Sequence, residues 1–180
     1  DLTLYYDNSN IYPESEFYRR RNELEKLLKL YKRDYGFDIK LIEPPYDHEA
    51  YMKDLRPHAS DPEGGERCHL CYRKRMEEAY DYAEAHGFDY FATVMSISRQ
   101  KSSATMNEIG SELEKSHPNT RYFHSDFKKA NGQLYGRNLR IHYELYNQLY
   151  CGCEYSLEEG KKRLIREGKD PETILPKTQK

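Results

Sequence analysis

The chain has 180 residues, 33 % of them charged and 37 % hydrophobic, with a formal net charge of −2 and a pI near 6.4. That length supports one hydrophobic core, or one domain plus a tail. No apolar run approaches the ~20 residues of a membrane-spanning helix, and the balanced charge excludes a uniformly basic nucleic-acid binder while leaving room for a local basic patch. The opening residues do not read as a signal peptide. The first residue is Asp rather than Met, so material upstream of residue 1 is expected.

Residues 2–6 read as a short strand and 8–10 as a loop. Pro13, Glu14 and Glu16 suit a helix N-terminus, and Phe17, Leu24, Leu27, Leu28, Tyr31 and Tyr35 keep the 3–4 spacing of an amphipathic helix that stops at Gly36. Residues 37–42 form the next strand, ended by Pro44-Pro45, and 48–55 a short helix. A loop over 56–67 delivers the chain to Cys68. Helical spacing follows, with Cys71, Met76, Ala79, Tyr80 and Ala83 on one face and Gly87 as the stop.

Further on, 88–95 reads as an apolar strand, 96–103 as a hydroxyl-rich loop, 104–115 as a helix and 121–124 as a strand. Residues 125–132 form a loop, 139–150 a helix ending at Cys151, and 157–167 a last helix before a loose tail over 171–180. Strands alternating with helices predict an α/β fold with a single doubly wound, mainly parallel sheet, Rossmann-like in kind. The boundaries expected are an α/β domain over 1–156, then a helix and tail over 157–180. Functional loops then cluster at the carboxyl ends of strands, which places 96–103 and 125–132 together.

Four cysteines are too few for a disulfide scaffold, yet they fall as two tight pairs, Cys68-x-x-Cys71 and Cys151-x-Cys153. A Cys-x-x-Cys at a helix start meets free N–H groups and a positive dipole end, both of which favour thiolate. Two pairs about 80 residues apart in sequence have enough sulfurs for one zinc or one iron–sulfur cluster. Cys151-Gly-Cys153 is either a metal clamp or a redox-active dithiol, since the small disulfide ring it would close is strained and reducible. Such pairing points to a reducing, cytoplasmic compartment.

The run Asp61-Pro-Glu-Gly-Gly-Glu-Arg-Cys-His-Leu-Cys-Tyr72 resembles the central signature of the QueH type of epoxyqueuosine reductase. So do Asn8-Ser-Asn-Ile-Tyr-Pro13, Gly87-Phe-Asp-Tyr-Phe91, Ser125-Asp-Phe-Lys-Lys129 and Tyr150-Cys-Gly-Cys153, in the family's order across about residues 1–156. The resemblance implies a nucleotide-hydrolase-like α/β domain. It also implies a reductase that turns epoxyqueuosine into queuosine in tRNA, the last step of queuosine biosynthesis, with a 4Fe-4S cluster. An additional iron fits the same chemistry, and zinc is the alternative metal. By the same resemblance Cys68 and Cys71 are cluster ligands and Cys151 with Cys153 the redox pair, or further iron ligands. The family pattern begins with a strand leading into a Cys-Cys motif that is absent from these 180 residues, and with it two expected ligands. Three further departures fall near the expected site: Gln100 before Lys101, Leu134-Tyr135-Gly136 where Lys-Arg-Ser is expected, and Asn147 in place of Arg.

The expected partners are a tRNA carrying epoxyqueuosine and an electron donor of unknown identity, with no membrane. Asp126 is a candidate acid or supporting group, against the plainer reading of a turn cap. Lys101, Lys128 and Lys129 are candidate phosphate contacts, against solvated surface lysines. Arg67 is placed to stabilise thiolate or phosphate. Tyr72 and Tyr150 flank the pairs and are expected to pack, against the alternative of stacking on a base. The Arg19-Arg20-Arg21 run reads as a solvated helix face, against a contact to RNA, and His69 as a bystander between two cysteines, against a metal ligand. Gly64-Gly65 reads as room for close backbone approach rather than a phosphate loop, and no Gly-rich loop follows the first strand, which disfavours a nucleotide hydrolase. The competing function is a zinc-stabilised α/β domain that binds RNA or protein without catalysis.

Overall fold

The computed structural model describes residues 1–175. The chain forms two compact units, one of residues 1–59 with those from 143 onward, the other of residues 60–142. Each contains one parallel strand pair joined through helix, so the α/β class holds. The hydrogen-bonded ladders are short.

In the first unit β1 (Thr3–Tyr5) pairs with β2 (Lys40–Ile42), Thr3 opposite Lys40 and Tyr5 opposite Ile42. The crossover is α1 (Glu14–Tyr35), whose first turn carries Glu14 and Glu16 against the positive helix end. Tyr6, Ile11 and Phe17 form the buried centre, with Leu24, Leu41 and Tyr46 packed on it. The Tyr6 hydroxyl donates to the Phe17 carbonyl at 3.1 Å, so an amphipathic ring is buried without stranding its oxygen. The helix expected over 48–55 is shorter, α2 (His48–Met52), and a 3-10 turn follows at Arg56–His58.

In the second unit α3 (Glu66–Ala85) buries Tyr72, Met76, Tyr80 and Ala83. The apolar stripe therefore begins at Tyr72, and Cys71 lies off it, partly exposed. The strand expected over 88–95 shrinks to β3 (Tyr90–Phe91), because the Thr93 hydroxyl accepts from Met95 N and turns the chain into a 3-10 segment, Val94–Ile97. α4 (Ser103–Glu114) buries Met106, Ile109, Gly110 and Leu113 against that core, and β4 (Arg121–Tyr122) pairs in parallel with β3. α5 (Gly132–His142) completes the unit and buries none of its residues.

The largest departure from the sequence reading lies at 139–150. The helix runs over Gly132–His142 instead, and 143–150 is irregular. Ala130 and Asn131, both at positive φ, turn the chain into the helix earlier, and Glu144 at φ 50° interrupts it. The spacing of Tyr143, Tyr146 and Tyr150 mimics a helical stripe, but each phenol is tied to the first unit. Their hydroxyls donate to Asp34 at 2.9 Å, Glu16 at 3.0 Å and the Tyr12 carbonyl at 2.5 Å. Glu23 also accepts from the Tyr146 N–H.

α6 (Glu154–Arg166) opens three residues before its expected start. It packs Leu157 and Leu164 with Tyr150 and Ile174. The tail expected to be loose is ordered at its start: Pro171–Ile174 is a 3-10 turn with Ile174 fully buried. Residues 176–180 of that expectation lie outside the described residues.

Two stability tests follow from the second unit. A Cβ added at Gly110 would stand 2.2 Å from the Tyr122 ring, whose hydroxyl is held by Met106 O and Asn107 Oδ1. Gly110→Ala should cost about 1–3 kcal/mol in urea unfolding. His117 is buried, stacked on Tyr80, with Nδ1 2.6 Å from the Leu113 carbonyl and Nε2 2.7 Å from Asp81. Burial pushes its pKa down, but the two acceptors outweigh it and the net shift is upward. A raised folded-state pKa stabilises fully below the unfolded value near 6.5 and loses that contribution as pH rises through the folded value. Unfolding free energy should fall across that window, and His117→Gln should flatten the dependence.

Candidate active site: two cysteine pairs at helix N-termini

Cys68 is the third residue of α3 and Cys71 lies one turn on, so both sulfurs share a helix face. Cys68 Sγ accepts the Gly64 N–H at 3.3 Å. The turn that aims this N–H uses Gly64 at φ 87°, and the Gly65 N–H bonds back to the Pro62 carbonyl. The Cys68 sulfur thus meets a backbone N–H at the start of a helix. The glycine pair therefore brings backbone close to a sulfur.

Arg67 sits between this loop and the helix, 6 % exposed. Its backbone N–H goes to Asp61 Oδ2 at 3.0 Å and its Nη1 to the Asp61 carbonyl at 2.7 Å. It fastens the Asp61 loop over the helix start rather than offering its charge to solvent. Tyr72 is buried in the core, and Lys101 Nζ stands 5.5 Å from its ring centroid. His69 is exposed.

The 96–103 and 125–132 loops meet, as their placement after β3 and β4 implied. Lys128 Nζ donates to the Ser96 carbonyl at 2.6 Å and the Lys101 carbonyl at 3.1 Å, and lies 3.5 Å from Asp126. Its ammonium is a staple between the loops. Asn107 completes the junction: its Oδ1 accepts from Ser125 N and its Nδ2 donates to Ser125 O. Burial raises the Asp126 pKa, but the Lys128 N–H, the Ser103 hydroxyl and the Lys128 charge lower it further, leaving it below the ordinary aspartate value. Asp126 is thus an ionised acceptor at neutral pH, unsuited to donating a proton. Lys129 is exposed.

Cys151 and Cys153 belong to the first unit. Cys153 is the N-cap of α6, its sulfur accepting the Ser156 N–H at 3.4 Å. The Gly152 N–H donates to Ser156 Oγ at 3.2 Å, and the Gly152 carbonyl accepts from Tyr12 N at 2.8 Å. Arg20 is the residue that the sequence reading missed. Its Nη1 donates to the Cys151 carbonyl at 2.9 Å and its Nη2 to the Tyr150 carbonyl at 3.3 Å. Its Nε pairs with the buried Glu16 at 2.8 Å. The Arg run is therefore no solvated face at its middle residue. The Glu16-x-x-x-Arg20 spacing signals an ion pair, but its target lies 130 residues away in sequence. Tyr150 is buried beside it, as expected, and burial followed by the Glu16 charge pushes its pKa up.

None of the four cysteines is in a disulfide. Within either unit, among the described residues, no group of three or more His, Cys, Asp or Glu side chains stands ready to hold a metal ion. Each pair instead offers two partly buried sulfurs at a helix N-terminus, a donor set that suits soft metals and iron–sulfur centres. No described helix is long and apolar enough to cross a membrane.

The family model described as epoxyqueuosine reductase QueH matches residues 1–159. Similar curated proteins carry the same name. The one from Streptococcus pyogenes serotype M1 is 34 % identical over 97 % of this chain and 68 % of its own length. That from Staphylococcus aureus strain Mu50 is 34 % identical over 87 % of this chain and 65 % of its own. The Thermotoga maritima relative is 28 % identical over 91 % and 83 %. The chain thus spans about two thirds of the length of the first two.

The loop staple gives a direct test. Charge-assisted bonds of this kind contribute ~1.5–3 kcal/mol each. In Lys128→Met the backbone amides of residues 96–103 should exchange with deuterium at least about tenfold faster, with other segments unchanged. Unaltered exchange there would remove the staple role.

Proposed function

The chain belongs to the epoxyqueuosine reductase QueH family, and from that premise we propose that it reduces epoxyqueuosine to queuosine in tRNA, with an iron–sulfur centre. The observation that carries this reading is the coincidence of the family match over residues 1–159 with two cysteine pairs set at helix N-termini. Both strand pairs are parallel with helical crossovers, which supports the finer fold reading of a doubly wound, nucleotide-hydrolase-like sheet.

Removing the epoxide oxygen takes two electrons and two protons and leaves an alkene and water. A bound iron–sulfur centre supplies electrons one at a time. Cys68 and Cys71 are the residues assigned to hold it, with the Gly64 N–H and the α3 N-terminus stabilising the anionic sulfur. Cys151 and Cys153 are assigned to the reacting end, as a redox dithiol or as ligands of an additional iron. The protons come from solvent or from the thiols, because Asp126 is held ionised. Asp126 is given a positioning role on the Lys128 loop instead.

The tRNA phosphates are assigned to Lys101 and Lys129, the loop lysines without a staple role. Lys128 and Arg67 shape the loops that present them. The electron donor is a separate protein or small reductant, and the cytoplasm, where thiols stay reduced, is the proposed location.

Anaerobic reconstitution with iron and sulfide tests the reading. The expected outcome is a brown protein with a broad band near ~400 nm and about four irons per chain. Turnover of epoxyqueuosine-tRNA should then fall by about 100-fold or more in Cys68→Ala and Cys151→Ala. A colourless protein holding one tight zinc would favour the non-catalytic, zinc-stabilised domain.

A further inference from the structure

We infer that Arg20, set by Glu16, is a positioning residue for the Cys151–Cys153 pair, and that it holds the turn in an open form in which the two thiols do not join. The inference rests on the reading that these cysteines carry chemistry.

Four backbone polar groups at the centre of this turn are anchored. The Tyr150 and Cys151 carbonyls accept from the two arms of one guanidinium, at 3.3 and 2.9 Å. The Gly152 N–H goes to Ser156 Oγ at 3.2 Å, and the Gly152 carbonyl accepts from Tyr12 N at 2.8 Å. The peptide between Cys151 and Gly152 is thus fixed at both its oxygen and its N–H. In this anchored turn the two cysteines are free, and a Cys-x-Cys disulfide closes a small ring whose shape depends on this same peptide. The Cys153 sulfur is engaged as well, accepting the Ser156 N–H at the start of α6. The Arg20 fork and the helix cap therefore both bear on the ring that a disulfide would close.

The brace is built rather than incidental. Arg20 has a side chain 10 % exposed, and its partner Glu16 is 1 % exposed. The guanidinium carbon lies 4.9 Å from the Tyr150 ring centroid, so packing, charge and hydrogen bonding orient it together. Gly152 at φ 138° lies so close that a Cβ there would meet Arg20 Nη1 and Ile11 Cγ1, each at 3.1 Å. A lysine at position 20 keeps the charge but has no planar fork to reach two carbonyls at once.

The test reads thiol chemistry without substrate. The full chain is equilibrated with mixtures of reduced and oxidised glutathione, alkylated, and mapped by mass spectrometry. In this exchange the two thiols give two electrons and two protons to oxidised glutathione, forming one intrachain disulfide and two reduced glutathiones. Arg20→Met and Arg20→Lys should both close the Cys151–Cys153 disulfide at a ratio at least tenfold less oxidising than wild type, about 30 mV for a two-electron couple. A wild-type midpoint in Arg20→Lys would reduce the effect to charge alone and overturn the proposal. Glu16→Gln retains the Arg20 side chain but removes the charge that sets it, serves if the Arg20 variants do not fold, and should shift the midpoint about threefold in the same direction. No shift in folded Glu16→Gln would likewise overturn it. Full turnover in Cys151→Ser and Cys153→Ser would instead sink the functional reading, leaving the measured shift intact.

Discussion

The guanidinium of Arg20 is the contact on which the first unit's candidate site depends. A charge that is nine-tenths removed from solvent must be paired, and here one carboxylate and two carbonyls do so. The consequence reaches both ways along the chain. Glu16 is held in the first turn of α1, where its charge also suits the helix end, and residues 150–151 are held at the entry to α6. Tyr146 adds its hydroxyl to the same carboxylate, with burial and then the Glu16 charge pushing its pKa up to about 12. Glu16 Oε1 thus receives both the Arg20 Nε and the Tyr146 hydroxyl, joining carboxylate, guanidinium and phenol in one network.

The second unit solves a different problem with the same means. Its loops leave the ends of strands only two residues long, so ladder hydrogen bonds contribute little to their placement. Side chains do it instead. Lys128 ties two carbonyls of the 96–103 loop, Asn107 ties both backbone groups of Ser125, and Arg67 with Asp61 ties the turn before Cys68. Several of the residues nominated for binding are thereby occupied in shaping the site. A cation in a strand-end loop can either meet a polyanion or neutralise carbonyls left over by the turn. Only the folded geometry separates Lys128, which does the second, from exposed Lys129.

Much of the fold was legible because its signals are local. The 3–4 spacing from Phe17 to Tyr35 and the stop at Gly36 mark α1 to the residue, and Cys68 was expected at the start of a helix for the reason that the helix end then meets its sulfur. The misreadings arise where side-chain contacts override the local pattern. Tyr143, Tyr146 and Tyr150 repeat at near-helical intervals, yet each ring is fixed by a distant acceptor, and periodicity alone cannot tell a buried helical face from a row of anchored phenols. The strand over 88–95 fails likewise: its apolar content suits a ladder, but the Thr93 hydroxyl captures the Met95 N–H and turns the chain. Ile174 was assigned to a loose tail and is buried, because the cleft over Gly160 that receives it is formed by another segment.

The amino-acid sequence by itself determined the α/β class, the two cysteine pairs, the seat of Cys68 and Cys71 at a helix start and, through its motifs, the family. These depend on residue type and on neighbours within a few positions, where helix dipole, backbone freedom and hydrophobic spacing act. Tertiary structure alone decided which charges are available and which are committed. Arg20 meets carbonyls 130 residues away, Lys128 reaches back across 32, and Asp126 stays ionised between a hydroxyl and an ammonium. Such pairings depend on which segments folding brings within hydrogen-bond reach, and no local pattern encodes that distance.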